Sequence, residues 1–258
     1  MTNQNNHLGT DGQFLLSPKF VSLKNLLEPQ TFSKTRPRYV EEFYASKPYW
    51  LLLGMCEDNL PLTLNLRNSD INTILVVSDS SKENANFLAN VIYLALKMEK
   101  IQISIKVVTD AAQKWRGLLP KSGSGQTIEI ILWDHYLDQI LYPPYSSNAQ
   151  NKSFSLTFLD GFSQIACYSL EQQQEIQSML ENARNQYDYY FATITTNELR
   201  TLSREWFETF KTKVLGKITN LALANQTLHL PSIYRKSPQQ NELYIWDGSA
   251  WLKFNPIY

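Results

Sequence analysis

The sequence predicts an α/β fold in which a mostly parallel β-sheet carries helices on both of its faces. Short apolar runs rich in β-branched or aromatic residues recur at 74–77, 103–108 and 189–194, and each has the length of a strand. Between them lie stretches with apolar residues at helical spacing, such as 87–98. Parallel strands need crossover connections, and helical crossovers cover both faces of the sheet.

The chain is expected to form a tail, an arm and one domain. Residues 1–12 are polar and predict a flexible tail. Residues 13–48 predict an N-terminal arm or connector, and the two prolines within 28–38 are typical of a connector. Residues 49–258 then form a single domain.

Hairpins are predicted near both ends of this domain. Apolar residues at 49–54 and 62–66 flank the turn pair Asp58-Asn59. A second alternating pattern, at 243–254, surrounds Asp247-Gly248. We expect both hairpins to add antiparallel strands to the parallel sheet.

The remaining elements follow from the same two periodicities. Further strands are expected at 128–133, 212–218 and 227–230. Further helices are expected at 111–119, 171–187 and 198–210.

Composition excludes several classes of protein. Lys and Arg together number 24, as do Asp and Glu, so there is no overall basic excess to hold nucleic acid. No apolar run approaches the roughly 18 residues of a membrane span, and the N-terminus lacks a signal pattern. Two cysteines are too few for a disulfide framework, and no metal-ligand spacing occurs. We therefore expect a cytoplasmic protein without a metal site or membrane contact.

The strand at 74–77 and the helix after it form the frame of a phosphate-binding loop. That loop reads G-x-x-x-x-G-K-[ST], where the glycines expose backbone N–H groups, the Lys contacts phosphates and the hydroxyl binds Mg²⁺. The positions on this frame are Ser78, Asp79, Ser80, Ser81, Lys82, Glu83, Asn84 and Ala85.

The residues on this frame lack the chemistry of the loop. Both glycines are missing, Asn84 stands where the Lys belongs, and Ala85 stands where the hydroxyl belongs. Asp79 and Glu83 add negative charge where a triphosphate would lie. Lys82 precedes the Lys position. The pattern favours helix capping by Ser78 or Asp79 over nucleotide hydrolysis.

An acid follows the predicted strand at 128–133. Asp134 at that point fits a residue that orients Mg²⁺, and His135 stands where a hydrolytic site has a Glu that activates water. The alternative, which we favour, is that Asp134 caps or hydrogen-bonds the strand end.

A small basic group, Lys211, Lys213 and Lys217, is either a solvated strand face or a DNA contact.

The order of these segments resembles the motor domain of the FtsK/HerA family of ring-forming DNA-pumping ATPases. The family's Asp-Glu-Phe-Ala-Asp motif corresponds to 134–138, and its Leu-Ala-Thr-Gln sensor strand to 191–194, with Thr193 at the Thr and Ile194 at the Gln. Its hairpin, phosphate loop and late Phe-x-Thr-Arg-Ile strand correspond to 53–66, 73–96 and 210–218. The resemblance covers 50–231 and implies a P-loop fold of the RecA/FtsK type.

The missing motif residues imply that the chain has kept the fold of the family and lost its ATPase activity. The resemblance then implies a catalytically inactive domain that serves as a structural or partner-binding subunit of a ring or DNA-processing assembly, with no cofactor. Its partner would be another protein or further copies of the chain, with DNA bound through the larger assembly.

Two alternatives stay open. The first is a nucleotide-binding or weakly active ATPase, coupled to DNA translocation, that uses ATP and Mg²⁺ with Lys82, Asp134 and His135. The second is a non-catalytic nucleic-acid-binding module built on Lys211, Lys213 and Lys217. The backbone path over 78–85 discriminates between an emptied loop and one that still curls around an anion.

Overall fold

The computed structural model describes residues 32–67, 71–119, 127–142, 154–183, 187–228, 242–246 and 251–257. The strands are β1 (Trp50–Cys56), β2 (Pro61–Asn65), β3 (Thr73–Ser78), β4 (Ile103–Val108), β5 (Thr127–Ile131), β6 (Phe154–Leu159), β7 (Asp188–Thr195), β8 (Thr212–Leu215), β9 (Leu243–Trp246) and β10 (Trp251–Asn255). The helices are α1 (Phe32–Ser46), α2 (Ser81–Leu96), α3 (Ala112–Leu118), α4 (Trp133–Leu141), α5 (Leu170–Asn182), α6 (Arg204–Thr209) and α7 (Leu221–Leu228). Two 3₁₀ helices span Phe162–Cys167 and Thr196–Thr201.

The ten strands of the described ranges form one sheet, in the order β2-β1-β10-β9-β8-β3-β7-β6-β4-β5. The six strands from β8 to β5 in that order are parallel. The other four are antiparallel and comprise the pairs β1–β2 and β9–β10. This confirms the predicted mostly parallel sheet with antiparallel additions from both ends of the domain.

The two faces of the sheet bury separate cores. Along β3, Ile74 and Val76 belong to the cluster that includes the apolar face of α2, while Leu75 belongs to the cluster formed with α4, α5 and α6. This alternation follows from the two-residue period of a strand. Helices therefore cover both faces, as the sequence predicted.

Several predicted elements differ from the observed ones. Strand β6 had no counterpart in the prediction, and it lies between β7 and β4. The strand expected at 227–230 is wrong at 227–228, which belong to helix α7, and 229–230 lie outside the described residues. The helix expected at 198–210 is divided into a 3₁₀ helix and α6, and Ser203 separates the two as the N-cap of α6.

The first described helix lies in the predicted arm. Residues 32–38, within the expected connector, belong to helix α1. Val40, Phe43 and Tyr44 of α1 are buried in the main core, and the hydroxyl of Tyr44 accepts a hydrogen bond from the Leu52 amide at 3.3 Å. This part of the arm is thus attached to the sheet. No helix in the described ranges is both long and apolar enough to span a bilayer.

Candidate functional site

The candidate site lies where the parallel strands β8, β3, β7 and β6 end. Their carboxyl ends meet at one edge of the sheet, which is where ligands bind in open α/β folds. The polar residues that follow these four strands are Thr219, Asp79, Thr196 and Asp160. Their side chains are connected by hydrogen bonds into two groups.

The connection between β3 and α2 is much shorter than a phosphate-binding loop. β3 ends at Ser78 and α2 begins at Ser81, so only Asp79 and Ser80 join them. Ser80 is the N-cap: its backbone is extended, and its Oγ accepts from the Glu83 amide at 3.4 Å. The Ser80 amide donates to Ser78 Oγ at 3.2 Å, and Ser78 Oγ donates to the Ser80 carbonyl at 2.9 Å.

The backbone from 78 to 85 also lacks an anion-binding nest. Such a nest alternates right- and left-handed residues so that successive N–H groups converge. All eight residues are described, and none has a positive φ. The turn is instead a capped helix start.

Asp79 accepts hydrogen bonds from both sides of β3. Its Oδ1 accepts from the Thr196 hydroxyl, and its Oδ2 accepts from the Thr219 hydroxyl and from the Thr219 amide at 2.7 Å. Burial acts to raise the pKa of Asp79, but these hydrogen bonds and the charge of Lys217 outweigh it and hold the pKa below its ordinary value. The carboxylate is therefore charged at neutral pH.

Asn84 and Ala85 face the core. The Asn84 side chain is 2% exposed, and its Nδ2 donates to the Ile194 carbonyl at 3.0 Å. Ala85 is fully buried, while Lys82 and Glu83 lie exposed on the first turn of the helix. The position that a phosphate-contacting Lys would occupy thus fastens α2 to β7.

The structure places Asp134, the second acid of the sequence analysis, away from the loop. β5, the strand before Asp134, is an edge strand, and three strands separate it from β3. At about 4.8 Å per strand that separation is about 19 Å. Asp134 lies in the first turn of α4, where its Oδ1 accepts from Tyr168 Oη at 3.1 Å, and His135 is exposed. Asp134 and His135 are therefore not beside the loop.

The acid that does lie near the loop is Asp160, which the sequence analysis missed. It follows β6, and only β7 separates β6 from β3. Its Oδ2 accepts from Trp115 Nε1 at 2.7 Å and from Thr109 Oγ1 at 3.1 Å, and its Oδ1 accepts from Thr193 Oγ1 at 3.2 Å. The available signal was 156–160, Leu-Thr-Phe-Leu-Asp, a strand ending in an acid like the one at 128–134.

Thr193, predicted as a sensor residue, lies in this second group. Its hydroxyl donates to Asp160 and accepts from the Gly161 amide at 3.0 Å. Gly161 has a φ of +71°, which a glycine adopts without strain. The residue after Asp160 therefore has no side chain to activate water. Within the described ranges, no group of three or more His, Cys, Asp or Glu residues is placed to hold a metal ion.

The chain matches known proteins in structure and not in sequence. No protein-family model and no curated protein sequence matches the chain. A structure of Thermomonospora curvata EccC (ATPases 2 and 3) with a signal sequence peptide is 12% identical, with a TM-score of 0.60 over 83% of this chain and 41% of that chain. EssC (ATPases 2 and 3) from Geobacillus thermodenitrificans is 16% identical, with a TM-score of 0.56 over 89% of this chain and 44% of that chain.

A third structure is covered almost completely. B204, the DNA-packaging ATPase of Sulfolobus Turreted Icosahedral Virus, is 10% identical, with a TM-score of 0.54 over 72% of this chain and 98% of that chain. By contrast, the chain spans less than half the length of the EccC and EssC structures. These structures are FtsK/HerA-like P-loop ATPases, so the similarity confirms the predicted fold.

Proposed function

We propose that this chain is a catalytically inactive FtsK/HerA-like P-loop domain that serves as a structural or partner-binding subunit of a larger assembly. One observation carries the proposal: the phosphate-loop position holds a two-residue turn whose carboxylate is hydrogen-bonded to the neighbouring strand ends. A triphosphate would have to displace these contacts.

Electrostatics at this turn oppose nucleotide binding. A phosphate oxygen about 4 Å from the charged Asp79 carboxylate would be repelled by about 4 kcal/mol at the effective dielectric constant of a protein surface. The backbone of the turn contributes no converging N–H groups to offset that repulsion, and the Lys position of the motif holds the buried Asn84. Among the cations, the charge of Lys217 acts on Asp79, and Lys114 Nζ donates to the Ser81 carbonyl at 3.5 Å.

The second acid is equally unsuited to metal catalysis. Three side-chain donors contact the Asp160 carboxylate, and one of them is the indole of a fully buried Trp115. A Mg²⁺ ion or its water shell would need the same lone pairs. With Gly161 next in the chain, no carboxylate follows to act as a general base.

The two alternative functions lose residues on which they depended. The active-ATPase hypothesis needs Asp134 and His135 near the loop, and they lie about 19 Å to one side of it by strand spacing. The nucleic-acid hypothesis needs Lys213 on a basic surface. Lys213 is 9% exposed, and its Nζ donates to the Phe210 carbonyl at 2.8 Å. Only Lys211 and Lys217 of that group are exposed.

Exposed apolar residues support a role in protein contact. Leu170 at the start of α5 is 71% exposed, and Leu132 before α4 is 45% exposed. The Tyr168–Asp134 hydrogen bond joins the two segments on which these leucines lie. One structural neighbour was determined with a signal sequence peptide, and another is a DNA-packaging ATPase. Both belong to proteins that act on other macromolecules.

Calorimetric titration of the full chain with ATP and Mg²⁺ tests the loss of nucleotide binding. We expect no binding heat and no phosphate release, with or without DNA. Asn84→Lys restores the Lys of the motif and is expected to leave release at the background level, because the rest of the loop is missing. Micromolar ATP binding together with turnover would falsify the proposal.

Sedimentation velocity over a range of concentrations tests self-association. We expect Leu170→Asp to weaken any association of the wild-type chain, and Gln174→Asp, an exposed position on the same helix, to leave it unchanged. Equal effects of the two variants would remove Leu170 from the contact surface.

A further inference from the structure

The carboxylate of Asp79 connects the ends of three neighbouring strands. β3 lies between β7 and β8 in the sheet. Asp79 follows β3, Thr196 follows β7, and Thr219 lies shortly after β8. We propose that Asp79 is an internal anion that locks this edge of the sheet in one arrangement without a bound phosphate. The inference rests on the proposed function, because it explains what replaces nucleotide at the loop.

The donors around Asp79 converge on both of its oxygens. The Thr196 hydroxyl donates to Oδ1, and the hydroxyl and amide of Thr219 donate to Oδ2, the amide at 2.7 Å. The amide of Asp79 itself donates to the Lys217 carbonyl at 2.9 Å. Four hydrogen bonds thus attach one residue to the segments on either side of its strand.

An ionised carboxylate suits this set of donors, because it accepts at both oxygens. Asn would either direct its NH₂ at the Thr219 amide, which cannot accept, or require the Thr196 hydroxyl to accept instead of donate. The hydrogen bonds to a charged oxygen are also about twice as strong as neutral ones. The charge lies next to the start of α2, where the helix dipole favours an anion.

The anion is part of the chain, so it cannot dissociate. A bound phosphate organises a loop only while it is present, and its loss releases the segments that it held. Asp79 keeps the same three strand ends joined at all times. The edge is then a constant surface for a partner, with a shape that does not vary with nucleotide.

A double-mutant cycle on the full chain measures how strongly Asp79 and Thr219 are coupled in the stability of the protein. We expect Asp79→Asn to raise the unfolding equilibrium constant about tenfold in urea denaturation. The matched control, Glu83→Gln, removes an exposed charge from the first turn of the same helix and is expected to change it by less than about twofold. Thr219→Val should raise the unfolding equilibrium constant several-fold more in the wild-type background than in the Asp79→Asn background. Equal effects of the two charge removals, or additivity in the cycle, would overturn the proposal.

Hydrogen exchange of the wild-type protein gives an independent reading if the variants fail to fold. The Thr219 amide, which donates to Asp79, should be protected even though it lies outside any strand or helix. In Asp79→Asn its exchange should accelerate at least about tenfold, while the Gly216 amide, bonded to the Val77 carbonyl at 2.8 Å, keeps its rate.

An unprotected Thr219 amide in the wild-type protein would overturn the proposed role of Asp79, whether or not the chain binds nucleotide. ATP binding by a wild-type chain whose Thr219 amide is protected would refute the proposed function and leave the role of Asp79 standing. The two failures are therefore distinguishable.

Discussion

Lys213 provides the sharpest test of the energetics, because a buried amine opposes folding at neutral pH. It lies on β8, in register with Leu75 on one neighbouring strand and Trp246 on the other, and it is 9% exposed. Burial lowers the pKa of its ammonium group from 10.5 to about 8, and the charge of Glu208 partly opposes this shift. We expect Lys213→Met, which keeps the length of the stem, to stabilise the protein at pH 7.

The magnitude follows from the pKa difference between the folded and unfolded states. At 1.36 kcal/mol for each factor of ten, a fall from 10.5 to about 8 costs about 3 kcal/mol while the amine is charged in both states. The Met variant also loses a hydrogen bond from the charged amine to the Phe210 carbonyl, worth about 2 kcal/mol, so its net gain at pH 7 is about 1 kcal/mol.

The pH dependence has a definite sign. Between about pH 8 and pH 10.5 the unfolded state binds more protons than the folded state at Lys213, so wild-type stability rises with pH through that window. The free-energy cost of burying the charged Lys213 amine is present in full below about pH 8 and absent above 10.5. The advantage of Lys213→Met should therefore shrink as pH rises.

Urea denaturation of wild type and variant at pH 7 and pH 10 measures this difference. The comparison must be between variants, because buried tyrosines such as Tyr189 and Tyr190, whose pKa values are raised by burial, destabilise both proteins at high pH. Lys211→Met, at an exposed neighbouring position, is the control and should show no pH-dependent advantage. A Lys213→Met protein less stable than wild type at pH 7, or with an advantage independent of pH, would refute the reasoning.

Three further predictions concern packing and the buried acid. In urea denaturation, Gly54→Ala should lower the free energy of unfolding by about 1–3 kcal/mol, because a Cβ there would lie 2.5 Å from the Asn255 carbonyl oxygen. The control is Gly117→Ala, which should not destabilise the protein because no atom lies within 4 Å of the added Cβ. Trp115→Phe should cost about 1–3 kcal/mol by thermal denaturation, because it leaves the buried Asp160 carboxylate one donor short, and a cost no greater than that of an exposed substitution would contradict the role given to the indole. Gly161→Ala should destabilise by about 1–2 kcal/mol in urea, since φ is +71° there, and a neutral effect would show that the turn relaxes.

The local sequence was sufficient for the fold class and for the elements on either side of the loop. The apolar run of β3 and the helical stripe of α2 have unambiguous periods, and each is recognisable without its neighbours. The replacement of the motif's Lys and hydroxyl by Asn84 and Ala85 is visible in the letters alone. These features depend on residues a few positions apart.

The identity of the acid near the loop was decided by strand order. Two segments, 128–134 and 156–160, both present an apolar strand ending in an acid, and their sequences do not show which one lies near β3. The sheet places β6 one strand away from β3 and β5 at the edge. Which strands become neighbours depends on the packing of the whole chain, so the local pattern could not show which acid lies near the loop.

The partners of Asp79 and the burial of Lys213 likewise came only from the tertiary structure. Thr196 and Thr219 lie 117 and 140 positions after Asp79 in the chain, and nothing in their own sequence context marks them as its donors. The sequence places Lys213 in a basic group that is either a solvated strand face or a DNA contact, but β8 is paired on both edges and all four of its residues are buried. Short-range periodicity determines which segments become strands and helices, whereas long-range packing determines which polar side chains meet and which lose their water.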